Sequence, residues 1–336
     1  NVQDVLSKIH LYCTPQTRLI VSYFSPFWSP ILSMATYFKC KMPDLAPPLF
    51  STSDIKNFLN ISNFETVRIE KKILLPIKFF GLERLINRFI AVLPLISHLC
   101  LRQYLVSRSL KVHKQSLPQS ASIIIPVKNE SGNIKNAIKN IPKFSKNIEI
   151  IFVEGNSDDN TWSEIQSIIK SKVYEKKGYI VKAFKQKGKG KGDAVFYGFS
   201  LAQNDVLMIL DGDLTVPPEE LKKFWDLIST GEAEFINGSR LIYPLDDNAM
   251  RLLNYIANKI FSHLFTWTLG QRYTDTLCGT KVIRRRDYES SRIANLDLER
   301  FDPFGDFYLI FSASRMSLKM IEVPIRYKAR TFGVTQ

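Results

Sequence analysis

The chain has 336 residues, enough for two domains, and its ordinary apolar (45%) and charged (23%) fractions exclude a disordered or low-complexity protein. Its net charge of +14 is uneven: residues 1–117 carry 15 Lys/Arg against 6 Asp/Glu, the remainder 31 against 26. Such a balance fits nucleic acid, phosphorylated substrates, an anionic membrane surface or a plain solvated exterior. Cys13, Cys40, Cys100 and Cys278 lie far apart without metal-ligand spacing, which points to reduced thiols in a cytosolic protein. No signal peptide is visible, and the chain opens at Asn1 without Met, so a fragment is expected. The most apolar window, Phe89 to Leu101, contains Pro94 and is too short to span a bilayer, although it suits an interfacial segment.

Residues 1–110 read as part of an α/β unit. Asp4 to Leu11 is helix-like, Thr17 to Phe24 strand-like, and Ser53-Asp54 caps a helix to about Asn60. Phe64 to Leu75 and Gln103 to Arg108 are further strands. This order, on Asp4 to Tyr23, Phe64 to Leu75 and the strand at Gln103, resembles the C-terminal half of a class I S-adenosylmethionine-dependent methyltransferase. That family holds its cofactor on a glycine-rich loop, whereas residues 1–110 contain one glycine, Gly81. The resemblance therefore implies no S-adenosylmethionine binding in this piece; a scaffold or membrane-docking domain is the alternative. Residues 111–120 read as a linker.

From Ala121 the pattern becomes strand–loop–helix repeats, the mark of a doubly wound, mostly parallel sheet. Ser122 to Val127 runs into Lys128-Asn129-Glu130, and a helix follows with Ile134, Ala137, Ile138 and Ile141 on one face. Ile148 to Val153 runs into Glu154-Gly155-Asn156-Ser157-Asp158-Asp159, with a helix from Trp162. Tyr179 to Phe184 precedes Lys185 to Asp193, where lysines alternate with glycines before a helix from Ala194 to Ala202. Glycines let backbone amides approach a polyanion that ammonium groups neutralise, although the stretch taken alone reads more readily as a mobile, solvated charge run.

Val206 to Leu210 is a buried strand that ends in Asp211-Gly212-Asp213, and Pro217-Pro218 then opens a helix. Two carboxylates one residue apart repel unless a cation joins them, and hard oxygen ligands suit Mg²⁺ or Mn²⁺. Asp-Gly as a hairpin turn is the plainer alternative.

This series of motifs resembles family-2 glycosyltransferases of the GT-A fold. The P-x-x-N-E turn is Pro126 to Glu130, and the acidic second loop starts at Glu154. The G-K-G turn is Gly188-Lys189-Gly190 with extra residues before Ala194, and D-x-D is Asp211-Gly212-Asp213. Gly238-Ser239-Arg240 and Asp275 to Gly279 complete it. The polyprenyl-phosphate (dolichol-phosphate mannosyltransferase-like) branch matches best, over residues 121–336 with a truncated C-terminus.

The resemblance implies metal-dependent, inverting transfer from a nucleoside-diphosphate sugar to a lipid-phosphate or other cell-envelope glycan acceptor. Asp211 and Asp213 would hold Mg²⁺ or Mn²⁺, and Pro126, Lys128, Glu130, Glu154, Ser157, Lys189, Gly190 and Asp211 the donor. Arg240 and Arg251 would hold the acceptor phosphate. Asp306 is the first candidate for a general base and Asp275 the second, whereas a phosphate acceptor needs none. Such a protein is expected in the cytoplasm, with a peripheral place at the inner face of the cell membrane. Two rivals remain. A sugar-nucleotidyltransferase would need a glycine loop after the first strand, where Lys128-Asn129-Glu130 stands. A basic nucleic-acid-binding protein would interleave lysines with exposed aromatics, so no nucleic-acid partner is expected. The helix Asn248 to Leu269 is apolar enough for core packing or a lipid-facing groove.

Overall fold

The computed structural model describes residues 2–42, 50–110, 117–243, 252–294, 302, 305–330 and 332. The chain divides into two compact units, Asn1–His113 and Lys114–Gln336.

The first unit runs α1 (Val2–Leu11), β1 (Arg18–Phe24), α2 (Ser29–Tyr37), α3 (Thr52–Ile61), β2 (Phe64–Lys72), α4 (Leu82–Leu85) and β3 (Arg102–Ser109). Its sheet has the order β1-β3-β2, with β3 antiparallel to both neighbours. Leu6, Ile55, Leu59, Phe64 and Leu105 form the core beneath α1 and α3. The cap of α3 is Ser51, two residues earlier than the sequence suggests. The Ser51 hydroxyl accepts the Asp54 N–H and the Asp54 carboxylate accepts the Ser51 N–H, a reciprocal box that Ser53 cannot make.

The second unit contains β4 (Ser120–Val127), α5 (Ile134–Asn140), β5 (Asn147–Glu154), α6 (Thr161–Ser171), β6 (Tyr179–Lys185), α7 (Gly190–Leu201) and β7 (Val206–Ile209). It continues with α8 (Leu221–Ser229), β8 (Phe235–Ser239), α9 (Leu252–Leu269), β9 (Lys281–Arg284), α10 (Arg285–Ala294), α11 (Asp306–Arg315) and β10 (Met320–Pro324). The sheet order is β10-β8-β9-β7-β4-β5-β6. Its neighbours are parallel except where β9 meets β7 and β8. This is the mostly parallel α/β architecture expected of the GT-A fold.

Strand periodicity divides the core. On β4, Ile123 and Ile125 pack with α5, α6 and α8, while Ile124 packs with α7 and α11 on the opposite face. Helices thus cover both faces, and functional groups are left at the strand ends. The largest departure from the sequence reading is α7, which starts at Gly190 rather than Ala194. Ala194, Val195, Gly198 and Phe199 are buried against the sheet, and that packing draws the weak glycine turn into the helix.

Gly198 is where α7 comes closest to the sheet: an added Cβ would lie 2.5 Å from Ile124 Cγ2 and 3.2 Å from Val153 Cγ2. Gly198→Ala should therefore destabilise the protein by about 1–3 kcal/mol despite alanine's better helix propensity. Urea denaturation checks this, and an unchanged or raised midpoint would refute the close approach.

Candidate active site

The chain winds β4, β5, β6 in one direction and then crosses back to place β7 on the other side of β4. Open α/β sheets bind ligands at such a reversal, outside the carboxyl ends of the strands. A cleft of about 530 Å³ lies there. It is lined by Pro126 at the end of β4 with Lys128 and Glu130 after it, Gly155 and Asn156 after β5, and Gln186 and Gly188 to Lys191 between β6 and the first turn of α7. Asp211 to Asp213 after β7 and Arg330 of the C-terminal segment complete it.

Each carboxylate of the β7 pair faces a cation. Lys191 Nζ lies 2.5 Å from Asp211 Oδ1, although that buried oxygen has no aligned hydrogen bond. Burial opposes the Asp211 anion, but the neighbouring Lys191, Lys281 and Arg240 outweigh it and hold the carboxyl below the usual range. The same pairing lifts the Lys191 ammonium above its ordinary value against its own burial. Asp213 Oδ1 accepts the Thr215 N–H (3.1 Å) and hydroxyl (2.8 Å), and Oδ2 accepts Arg330 Nη2 at 3.0 Å. Arg330 also meets Glu130 Oε1 at 3.0 Å. Burial raises the Glu130 pKa more than Arg330 and Asn133 lower it. Arg330 is brought here because the strand leaving β10 doubles back, with Lys328 N–H donating to Thr215 O at 2.9 Å.

Two glycines make room for this arrangement. A Cβ on Gly212 would lie 2.7 Å from Pro126 O, and one on Gly279 would run into both Lys191 Nζ and the Asp211 carboxylate. The lysine–glycine loop is pinned: Gly188 N–H donates to Asp193 Oδ2 (3.1 Å) and Gln186 Nε2 to Gly190 O (3.1 Å). That argues against a mobile charge run. The first turn of α7, from Gly190, opens into the cleft, where helix amides suit an anion.

Of the residues expected to hold a donor, Pro126, Lys128, Glu130, Lys189, Gly190 and Asp211 line the cleft. Glu154 and Ser157 do not. Glu154, almost fully buried, accepts the Ser157 N–H at 2.5 Å, and Ser157 Oγ accepts the Asn129 N–H at 3.0 Å. They tie the first two loops together, and Gly155 and Asn156 face the space instead. The lysine beside Asp211 is Lys191, not Lys189; read without inserted residues, the G-K-G-x-A pattern falls on Gly190 to Ala194. Arg330 has no comparable signal in the sequence, because only the return of the C-terminal segment brings it to the carboxylates.

Neither base candidate stands open to the cleft. Asp275 is wholly buried and fully engaged: Oδ2 accepts Arg240 Nε (2.7 Å) and N–H (3.0 Å), and Oδ1 accepts Arg240 Nη2 (2.9 Å), Asn258 Nδ2 (2.7 Å) and Leu277 N–H (3.1 Å). It orients Arg240, whose guanidinium also lies 5.3 Å from the Tyr327 ring centroid. Asp306 is paired with Lys281 Nζ at 2.7 Å in a nearly buried ion pair and is not a lining residue. Arg251 lies outside the described residues.

Among the described residues no three His, Cys, Asp or Glu side chains group to hold a metal. Asp211 and Asp213, both half-exposed to the cleft and the former with an oxygen lacking an aligned bond, form a two-carboxylate donor set. Such a set fits Mg²⁺ or Mn²⁺ when substrate phosphate oxygens supply further ligands.

Asp275→Asn should cost about 3–5 kcal/mol, because it strands the buried Arg240 charge. Burial opposes the Asp275 anion, but Arg240 and Asn258 hold its carboxyl below the usual range. A folded pKa below the unfolded value of about 3.9 gives stability that is complete above that pH and lost as the pH falls through the folded value. The penalty should therefore shrink in acid. A penalty independent of pH, or none, would contradict the pairing.

The family model for glycosyl transferase family 2 matches residues 122–291, 170 of the 336. The low-salt glycan biosynthesis hexosyltransferase Agl6 of Haloferax volcanii is 25% identical over 62% of this chain and 48% of its own. The dolichol-phosphate mannosyltransferase of Pyrococcus furiosus is 36% identical over 36% of this chain and 33% of its own. An undecaprenyl-phosphate 4-deoxy-4-formamido-L-arabinose transferase of Enterobacter is 24% identical over 63% and 61%. The chain thus spans between a third and three fifths of the length of these relatives. Among solved structures, glucosyl-3-phosphoglycerate synthase of Mycobacterium tuberculosis superposes with a TM-score of 0.47 at 18% identity, over 66% of this chain and 74% of that one. With its family model covering half the chain, and the D-x-D strand end and glycine turn meeting in one cleft, the protein belongs to glycosyl transferase family 2.

Proposed function

We propose that this chain transfers a sugar, with inversion, from a nucleoside-diphosphate donor to a lipid-phosphate acceptor. The observation that carries the reading is the meeting of Asp211, Asp213, Lys191 and the amino end of α7 in one cleft at the β4/β7 reversal. The amides of α7 and the Lys191 ammonium would hold the diphosphate, and Lys191 would counter the charge that grows on the leaving group. Asp211 and Asp213 would hold Mg²⁺ or Mn²⁺, which supplies Lewis-acid charge stabilisation when bound. Gly155 and Asn156, which line the cleft, would meet the nucleoside, and Glu154 would hold their loop in shape through the Ser157 N–H. Arg240, oriented by Asp275, is proposed to receive the acceptor phosphate.

The acceptor class rests on three supports. Two relatives carry a lipid phosphate in their names, dolichol-phosphate and undecaprenyl-phosphate. Both base candidates are committed to buried ion pairs, which suits an acceptor that arrives already anionic. Finally, α9 turns Asn258 and Ser262 inward while Leu253, Ile256, Ile260 and Leu264 are exposed, an outward apolar stripe on the helix that supports Asp275. The first unit is proposed to be a partial methyltransferase-like domain without a methyl donor of its own.

With Mn²⁺ and a panel of UDP- and GDP-sugars, one donor should be slowly hydrolysed, and Asp213→Ala should lower that rate about 10²–10³-fold. Release indifferent to EDTA and to Asp213→Ala would refute the reading. Arg330 competes with a metal for Asp213, so Arg330→Ala should tighten Mn²⁺ binding roughly fivefold without nucleotide, the effect of about 1 kcal/mol for a partly exposed pair. Isothermal titration reads this directly, and weaker binding would instead make Arg330 a support of the metal site.

A further inference from the structure

In the first unit, β1 ends at Phe24 and β2 at Lys72, and both stand opposite Arg102 at the start of β3. The two long connections, residues 25–42 and 73–101, therefore leave from one end of the sheet. They are joined there, since Ser25 N–H donates to Leu101 O (2.8 Å), Leu101 N–H to Ile73 O (2.8 Å) and Trp28 Nε1 to Leu99 O (2.6 Å). Asn87 holds the second connection in shape, accepting the Leu74 and Leu75 N–H groups and donating to Leu75 O.

The outer surface of this platform is apolar. Neither α2 nor α4 has a buried residue. Phe27, Ile31, Met34 and Phe38 recur at helical spacing on the exposed side of the first connection. Phe79, Phe80, Leu85 and Phe89 are exposed on the second, with Phe80 completely so. Phe80 has a φ of 48° and Gly81 one of 85°, so a left-handed turn holds the two phenylalanines outward.

Charge identifies the occupant. Lys39, Lys41, Lys78, Arg84 and Arg88 lie on the two connections against one described acid, Glu83, and that carboxylate is turned to the Phe79 N–H at 2.9 Å. A protein partner of mixed charge would be met by both signs. Exposed aromatics interspersed along the chain with cations match instead an anionic lipid surface. Among the described residues no helix is long and apolar enough to cross a membrane, so the platform would lie on the bilayer.

We propose that residues 25–42 and 73–101 form a membrane-docking platform for anionic lipid. It is independent of the sugar-transfer reading, so either can fail alone. Flotation of the whole chain with phosphatidylglycerol-containing vesicles should show binding that pure phosphatidylcholine vesicles lack and that salt weakens. Phe79→Ser/Phe80→Ser and Lys78→Glu/Arg84→Glu should each weaken it roughly tenfold or more, with circular dichroism and donor hydrolysis unchanged. Equal binding to neutral vesicles, binding untouched by these substitutions, or a dimer in solution that they convert to monomer would each overturn the proposal.

Discussion

Two carboxylates one residue apart at the end of a buried strand impose the central constraint on the transferase unit. Close like charges in a partly dry site cost on the order of a few kcal/mol unless cations meet them. The chain supplies two, from well-separated parts of the domain: Lys191 from the first turn of α7 and Arg330 from the segment that follows the last strand. The same demand explains why Gly279 lacks a side chain, since the Asp211–Lys191 pair packs against its backbone. It also explains Thr215, whose N–H and hydroxyl fix one oxygen of Asp213 and leave the other to Arg330.

Beneath that pair lies a second layer of charge, outside the lining of the cleft. Lys281 and Asp306 form a nearly buried ion pair, and Arg240 is locked to Asp275. Buried pairs of this kind contribute little net stability, but removing one partner is costly, so they act chiefly to fix geometry. Lys281 and Arg240 both help hold Asp211 ionised, and Asp306 helps hold Lys191 charged. The cleft groups are thus kept in their charged forms by a layer of ion pairs set behind them.

Much of this was legible in the sequence because local chemistry wrote it there. The apolar run ending in Asp211-Gly212-Asp213 reads as a buried strand with carboxylates at its end, and the strand–loop–helix repeats before it weigh against the hairpin turn that Asp-Gly alone also suits. The apolar periodicity of residues 122–228 gave the parallel repeats in order. What escaped was long-range or cooperative. Packing of Val195 and Phe199 drew the glycines of 190–192 into a helix and moved the paired lysine from Lys189 to Lys191. Glu154 is expected at the donor because it stands where the family resemblance has an aspartate, but a short polar loop must also satisfy its own amides, and the Ser157 N–H donates to it. Arg330 depends on a backbone contact 113 positions away in the chain, between Lys328 and Thr215, which no local pattern encodes.

The state of Asp275 bears on which acceptor the site can use. A general base needs a lone pair directed at the acceptor proton, and Asp275 has five donors on its two oxygens, none of them from the cleft. Those donors make it a clamp, and what it clamps is an arginine with fixed direction. A guanidinium held in this way loses little freedom when it meets an oxyanion, which is the condition for binding phosphate rather than activating a hydroxyl. Asn258 completes the argument, because it joins the clamp to α9, whose opposite face is apolar and exposed. The helix thus carries a polar anchor for the arginine clamp on one face and an exposed apolar stripe on the other, and it is Asn258 that ties the two to a single element.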